Sequence, residues 1–307
     1  MKTESRLEKV LASGNLAVTS ECGPPRGSVP EKVKEKAEML RGVVDGINVT
    51  DNQTAVVRMS SLSACILIAQ MGLDPILQMV TRDRNRLAMQ SDILGAYAHG
   101  IHTMLCLSGD HPQFGDHPMA ANVYDLDSIQ LIQTVRTMRD EGKFQGGDDI
   151  LNPPKMFIGA AANPFADPFE LRVARLAKKA KAGVDFIQTQ CIYNLDKFET
   201  WMSGVRDRGL HEQVSILAGI TPMKSAGMAK YMKNRVPGMD VPDEVVKRLS
   251  GVPKEKQAEE GIKMAVEDMQ RLKEMEGVRG FHIMAIEWEQ KVPEIVERAG
   301  LLPRPEA

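Results

Sequence analysis

The chain has 307 residues, with 39 lysines and arginines against 41 aspartates and glutamates, a formal charge of −2. That balance lacks the basic excess of a nucleic-acid binder, and no apolar run approaches the ~20 residues that span a bilayer. The four cysteines, at 22, 65, 106 and 191, form no CxxC pair, so the expectation is a reduced, cytoplasmic protein without a zinc or iron–sulfur motif of its own.

The N-terminal stretch Met1–Val10 is charged and lacks the apolar core of a signal peptide. Nineteen methionines stand beside only 5% aromatics, which predicts a core filled by aliphatic and methionine side chains. The first strand is expected at Leu16–Ser20, and Pro30 opens a helix over Lys32–Val44. The second strand, Gly46–Val49, precedes a helix over Ala55–Met71 that stops at Gly72. The third, Pro75–Val80, precedes a helix over Arg84–His99 that stops at Gly100. The fourth, His102–Leu107, precedes a helix over Asp127–Glu141 that stops at Gly142. The fifth, Lys155–Ala160, precedes a helix over Phe169–Ala182 that stops at Gly183. A glycine after each helix fits a left-handed cap. The sixth strand, Asp185–Thr189, precedes a helix over Leu195–Arg208. The seventh, Ser215–Ile220, precedes a helix over Met223–Asn234 and an extra helical block, Pro242–Glu276. The eighth, Gly280–Met284, precedes a closing helix over Glu289–Ala299.

Each strand is a short apolar run suited to burial in a parallel sheet. Eight strands alternating with helices over this length predict an α/β fold, the (β/α)8 TIM barrel. It is expected as a single domain over residues 1–307, with a helical insertion between strands 7 and 8. An open doubly wound sheet would need a phosphate-binding GxGxxG at the first strand–helix turn. That turn reads Glu21-Cys-Gly-Pro-Pro-Arg-Gly.

In such a barrel, chemistry gathers at the C-terminal ends of the strands. Those positions are polar and acidic, with Glu21, Asp51, Asp83, Asp110 and Glu287 among them. Glu21, at a strand end before a rigid Pro-Pro turn, is placed for general-acid work, or for a helix N-cap or a salt bridge to an arginine such as Arg82. Asp110 follows Gly109, whose backbone permits close approach of a ligand. Its carboxylate can accept from a heterocycle's N–H groups, or cap its own loop. Gln190 offers a donor and an acceptor to a pterin or pyrimidine edge, or is a satisfied core amide. Lys178, Lys179 and Lys181 read as a solvated face, or as stems reaching a phosphate over the rim. His99 and His102 fall at the bottom face and read as structural. His111 and His117 flank Asp116 without a zinc spacing, and Cys22 reads as packing.

Several ordered motifs then resemble the methylenetetrahydrofolate reductase family, from about Asn15 to Leu302. They are Ser20-Glu-Cys-Gly-Pro-Pro25, Val49-Thr50, Leu107-Ser-Gly-Asp110, Ala160–Pro164, Lys179–Gly183, Gln188-Thr-Gln190, Ala218-Gly-Ile-Thr-Pro222 and Gly280-Phe-His-Ile283. Thr81-Arg-Asp-Arg-Asn85, Gly109-Asp-His-Pro112 and Met284-Ala-Ile-Glu-Trp288 are similar to the reductases of anaerobes and acetogens. The resemblance implies a flavin-bearing barrel, with FAD or FMN, that reduces 5,10-methylenetetrahydrofolate to 5-methyltetrahydrofolate. By it Glu21 matches the general acid, Asp110 the acid that contacts the pterin near the flavin, and Gln190 the amide that contacts folate. Thr50, Gln78, Leu107, Ser108, Gly109, Asp110, Ala161, Asn163 and Lys179 fall at flavin-contacting positions. Gln78 stands where the better-known bacterial enzymes carry His, and Ser108 where they carry Arg. No aromatic lies over Lys224–Met228, where NADH-using members place Phe, and Trp288 stands where the family has Arg. The resemblance further implies an oligomer whose electrons arrive through a partner subunit with iron–sulfur or zinc centres. A flavin-independent folate-binding or methyl-transfer barrel component is the second expectation.

Overall fold

Eight short strands pair side by side in sequence order, all parallel, and the eighth returns to the first. The computed structural model describes residues 1–306. A seven-residue helix α1 (Arg6–Ala12) comes first. The alternation then runs β1 (Ala17–Cys22), α2 (Pro30–Met39), β2 (Gly46–Val49), α3 (Ser61–Gln70), β3 (Pro75–Val80), α4 (Arg86–Ala98), β4 (Thr103–Leu107), α5 (Ser128–Arg136), β5 (Phe157–Ala162), α6 (Leu171–Ala182), β6 (Phe186–Cys191), α7 (Leu195–Asp207) and β7 (Ser215–Ile220). Three helices, α8 (Ala226–Arg235), α9 (Asp243–Ser250) and α10 (Gln257–Lys273), precede β8 (Val278–Ile283), and α11 (Val292–Arg298) follows it. This is the expected (β/α)8 TIM barrel.

Local chemistry sets the element boundaries. The helix expected from Ala55 begins only at Ser61, because the Ser60 hydroxyl caps it by accepting from the Ser63 N–H. The helix expected through Val44 opens with Pro30 in its first turn and ends at Met39. The one expected over Asp127–Glu141 opens with a capping box between Asp127 and Gln130 and passes into a π turn over Thr137–Glu141. Gly183, at φ 107°, closes α6 by donating to the Lys179 and Ala180 carbonyls. Strands 2, 3 and 7 fall where expected. Strand 1 runs two residues further, because Glu21 pairs with Asn48 and Cys22 with Val49. Strands 5 and 6 likewise extend to Ala162 and Cys191. Strand 8 starts earlier, at Val278, and ends at Ile283. Glu21, Ala161 and Gln190 therefore lie within strands rather than after them.

Alternation along each strand turns every second side chain into the barrel. At the bottom these are Ala17, Ile76, Leu105, Phe157, Phe186 and Leu217, which form one apolar cluster with Leu7, Val10 and Leu11 of α1. The Phe157 and Phe186 rings stack with centroids 5.2 Å apart. Gly159 makes room for them, since a Cβ there would lie 2.2 Å from the Phe186 ring. Helix α1 was not foreseen in the sequence. It works as a stopper, with its 7, 10 and 11 positions on one face.

Two buried carboxylates brace the same end. Asp45 accepts from the Val18 N–H and pairs with Arg304; Asp185 accepts from the Ile158 N–H and pairs with Arg139 and Lys2. Nine of the nineteen methionines are buried, so methionine does serve as core filler. Leu7→Ala, which empties the stopper of a side chain that is 1% exposed, should cost about 2–5 kcal/mol. Urea denaturation of the two proteins at equal slope measures it.

Candidate active site

Above the apolar floor the inward positions turn polar. Thr19, Asn48, Gln188 and His282 are at most 3% exposed and form a middle layer. Buried polar groups are tolerated when they are hydrogen-bonded, and these bond to one another. Asn48 Nδ2 donates to Gln188 Oε1 at 2.6 Å, and Gln188 Nε2 donates back to Asn48 Oδ1 at 2.9 Å and to Thr19 Oγ1 at 3.1 Å. Thr19 Oγ1 lies 2.9 Å from His282 Nδ1.

Two residues further up each strand is the mouth, a cavity of about 650 Å³. Glu21, Thr50, Gln78, Leu107, Ser108, Gly109, Asp110, Ala161, Asn163, Lys179 and Gln190 all border it. Glu21 is not paired with Arg82. Its Oε1 faces His282 Nε2 at 3.7 Å, and its side chain keeps 27% of its exposure. Arg82 is instead almost fully buried. It pairs with Asp83 and donates to the carbonyls of Asp110 and Asn52, which ties the loops after β2, β3 and β4 together.

The expected acidity of the mouth is therefore corrected. Asp51, with no exposed side-chain surface, is held by Arg84 at 2.7 Å and accepts from the Val80 N–H. Asp83 is held by Arg82. Glu21, Asp110 and Glu287 are left facing the cavity without an arginine or lysine partner. Asp110 does cap a loop, accepting from the Thr54 N–H at 3.1 Å. The φ of Thr54 is 57°, a left-handed conformation uncommon for a β-branched residue. Gly109, at φ 85°, packs so closely on Val80 that a Cβ would lie 3.0 Å away.

Gln190 Oε1 accepts from the Cys191 N–H at 3.0 Å, its carboxamide nitrogen has no acceptor among the described residues, and the residue borders the mouth. Thr50 Oγ1 donates to Gln53 at 2.6 Å. Asn163 ties its own loop to the segment after α8. Its Nδ2 donates to the Gly238 carbonyl and its Oδ1 accepts from the Phe165 N–H. Of the three lysines on α6, Lys178 and Lys181 are exposed and Lys179 is buried. Lys179 Nζ has one acceptor, the Ala161 carbonyl. Burial, with the charge of Arg175 one turn earlier, pulls its pKa down to about 8. His111 caps a turn by accepting from the Gln113 N–H, and Asp116 is held by Arg26 and the Val57 N–H.

Sequence reading missed the middle layer, and with it His282, although Gly280-Phe-His-Ile283 contains it. The usable signal is the period of two. Thr19 sits two before Glu21, Asn48 two before Thr50, and Gln188 two before Gln190. It also missed Arg58, which lines the mouth and donates to the Pro24 carbonyl at 3.1 Å.

The family model described as methylenetetrahydrofolate reductase matches residues 6–300. The chain belongs to the methylenetetrahydrofolate reductase family. Methylenetetrahydrofolate reductase 2 of Schizosaccharomyces pombe is 27% identical over 68% of this chain and 33% of its own length. Its Saccharomyces cerevisiae namesake is 29% identical over 71% and 35%. The chain thus spans about a third of the length of these two relatives. Among solved structures, a Clostridium thermocellum protein described as binding two copies of 5-methyl-5,6,7,8-tetrahydrofolic acid superposes with a TM-score of 0.63. It covers 95% of this chain and 99% of itself at 12% identity, a likeness of fold.

Cysteine chemistry has no place at this mouth. All four thiols are buried, and burial pushes Cys22 and Cys191 up to about 12. The folded protein should take up no iodoacetamide at pH 8 within an hour, and the urea-unfolded protein four equivalents, as read by mass spectrometry.

Proposed function

We propose that this chain reduces 5,10-methylenetetrahydrofolate to 5-methyltetrahydrofolate, with Glu21 as the general acid. The observation that carries this reading is Glu21 itself. In a member of this reductase family, its carboxyl faces an open cavity with no arginine or lysine partner and a histidine behind it. The relatives' names supply the substrate class, and the folate-binding fold neighbour is consistent with it.

The residues present fit a flavin, FAD or FMN. Lys179 is a buried ammonium with a single carbonyl acceptor, a poor arrangement for a charge unless an anion joins it. Arg175 borders the same cavity, and Gly109 offers bare backbone beside it. Lys179 and Arg175 would hold the phosphate; Thr50, Gln78, Leu107, Ser108, Asp110, Ala161 and Asn163 would line the rest. When bound and reduced, a flavin supplies the hydride.

The chain's own residues handle orientation and the proton. Asp110 accepts from pterin N–H groups, and the Gln190 carboxamide adds a donor at the other side. Glu21 delivers a proton to folate N10. The N10–methylene bond breaks with its electron pair on N10, and the methylene is left as an iminium on N5, ready for hydride. The Glu21 carboxylate then faces His282. We assign the electron supply to the iron–sulfur centres of a partner subunit, within an oligomer; a zinc ion there, being redox-inactive, would have a structural role. In support, no aromatic side chain lies over Lys224–Met228 to hold a nicotinamide, and the chain's four cysteines form no cluster of their own.

Glu21→Gln should keep flavin reduction and slow reoxidation by methylenetetrahydrofolate by ~10²–10⁴-fold. Stopped-flow bleaching and recovery of the flavin spectrum separates the two steps. Undiminished reoxidation removes Glu21 from the role. Protein that binds the folate but retains neither FAD nor FMN replaces the reading with a flavin-independent folate-binding barrel. Lys179→Met should weaken FMN binding by about 10–100-fold, the worth of a charge-assisted contact. The Lys179 pKa is lowered, so the ammonium is present below about pH 8 and is lost as pH rises through it. Wild-type affinity for FMN should fall above pH 8 by up to ~10-fold per unit. The variant should lack that Lys179-dependent fall, as read by flavin fluorescence quenching.

A further inference from the structure

The mechanism above leaves two fully buried carboxamides unused. Asn48 and Gln188 reach towards each other from β2 and β6, and each donates to the other's oxygen, at 2.6 and 2.9 Å. Each amide fixes the other, because turning one alone would set nitrogen against nitrogen and oxygen against oxygen, and the pair is placed with the Gln188 nitrogen, not its oxygen, on the Thr19 side. The second N–H of Gln188 is then committed to Thr19 Oγ1 at 3.1 Å.

A hydroxyl that accepts there must place its own proton elsewhere. Two acceptors lie near it, His282 Nδ1 at 2.9 Å and the Phe281 carbonyl at 3.4 Å. The first is at hydrogen-bond length and the second is beyond the usual range for a hydroxyl donor. The Thr19 proton therefore points at His282 Nδ1, which accepts, and the ring of a neutral histidine then carries its hydrogen on Nε2. Nε2 is the atom that faces Glu21 Oε1, at 3.7 Å.

We propose that Asn48 and Gln188 are positioning residues that, through Thr19, hold His282 as the neutral Nε2–H tautomer facing Glu21. A ring nitrogen that bears hydrogen has no lone pair with which to take the Glu21 proton, so that proton is kept for the substrate. Once it has been delivered, the same N–H donates to the carboxylate left behind. This consequence rests on Glu21 being the acid; the tautomer does not.

The test is a long-range ¹H–¹⁵N correlation spectrum of the full chain labelled with ¹⁵N-histidine, without flavin or folate, at pH 7. The chain has six histidines, and His282→Gln identifies the signal. The expected result is a single Nε2–H tautomer for His282 in the wild type and in Thr19→Ser. Gln188→Met, which keeps the length and removes the donors, should lose that single tautomer. So should Thr19→Val, which is isosteric and keeps the layer filled should Gln188→Met not fold. An Nδ1–H ring or an imidazolium in the wild type overturns the proposal. So does an unchanged Nε2–H tautomer in folded Thr19→Val. Because no ligand is added, the result is decided independently of whether the chain reduces a folate.

Discussion

A closed barrel of parallel strands has an inside that water does not reach, and every second side chain of every strand must be accommodated there. In this chain the interior changes character with height. Its lowest level is apolar and sealed by Leu7, Val10 and Leu11. The next holds four polar side chains with almost no exposure. Such groups are costly unless each finds a partner, and here they find one another across the barrel. The mouth stands on that cross-bonded layer. Glu21 and Gln190 each sit two residues above a member of it, on the same strand, so their backbones inherit its rigidity.

The loops are organised by arginine. Arg82 and Arg84, adjacent but one, divide the acids of the β2–β3 side between them. Arg84 takes Asp51 into a fully buried pair, and Arg82 takes Asp83 while reaching the carbonyls of two further loops. The mouth is thereby left with unpaired carboxyls at Glu21, Asp110 and Glu287, on its β1, β4 and β8 sides, while Glu289 beside them is held by Lys36. On α6, after β5, Arg175 and Lys179 supply positive charge without a salt-bridged carboxylate of their own. Such uncompensated cations at one part of the rim suit a ligand with an anionic end.

The barrel was legible because the strand–helix alternation repeats eight times in one chain, with helix-stop glycines at 72, 100, 142 and 183 marking four of the repeats. The residues that gather at the mouth were legible because strand ends are, and because the motifs fall on them. Strand limits were less so. Apolar character fades at Glu21 and Gln190, yet backbone pairing continues through both. The ion pairs of the mouth were not legible, because Asp51 and Arg84 meet only once two loops are folded. The polar middle layer was hidden for a different reason. Thr19, Asn48 and Gln188 sit inside runs that read as apolar strands, where a single polar residue looks like noise until its neighbours across the barrel are known. Helix α1 is too short for its period to stand out.

Near both ends of the described residues, Lys2, Arg6 and Arg304 lie at the sealed end of the barrel. Lys2 pairs with Asp185, Arg6 donates to the Pro305 carbonyl, and Arg304 pairs with Asp45, all beside the first residues of strands. A polypeptide joined to either terminus would leave the molecule from the face opposite the cavity. Fusion partners, affinity tags and surface tethers attached there would hold the barrel with its opening turned outwards and unobstructed.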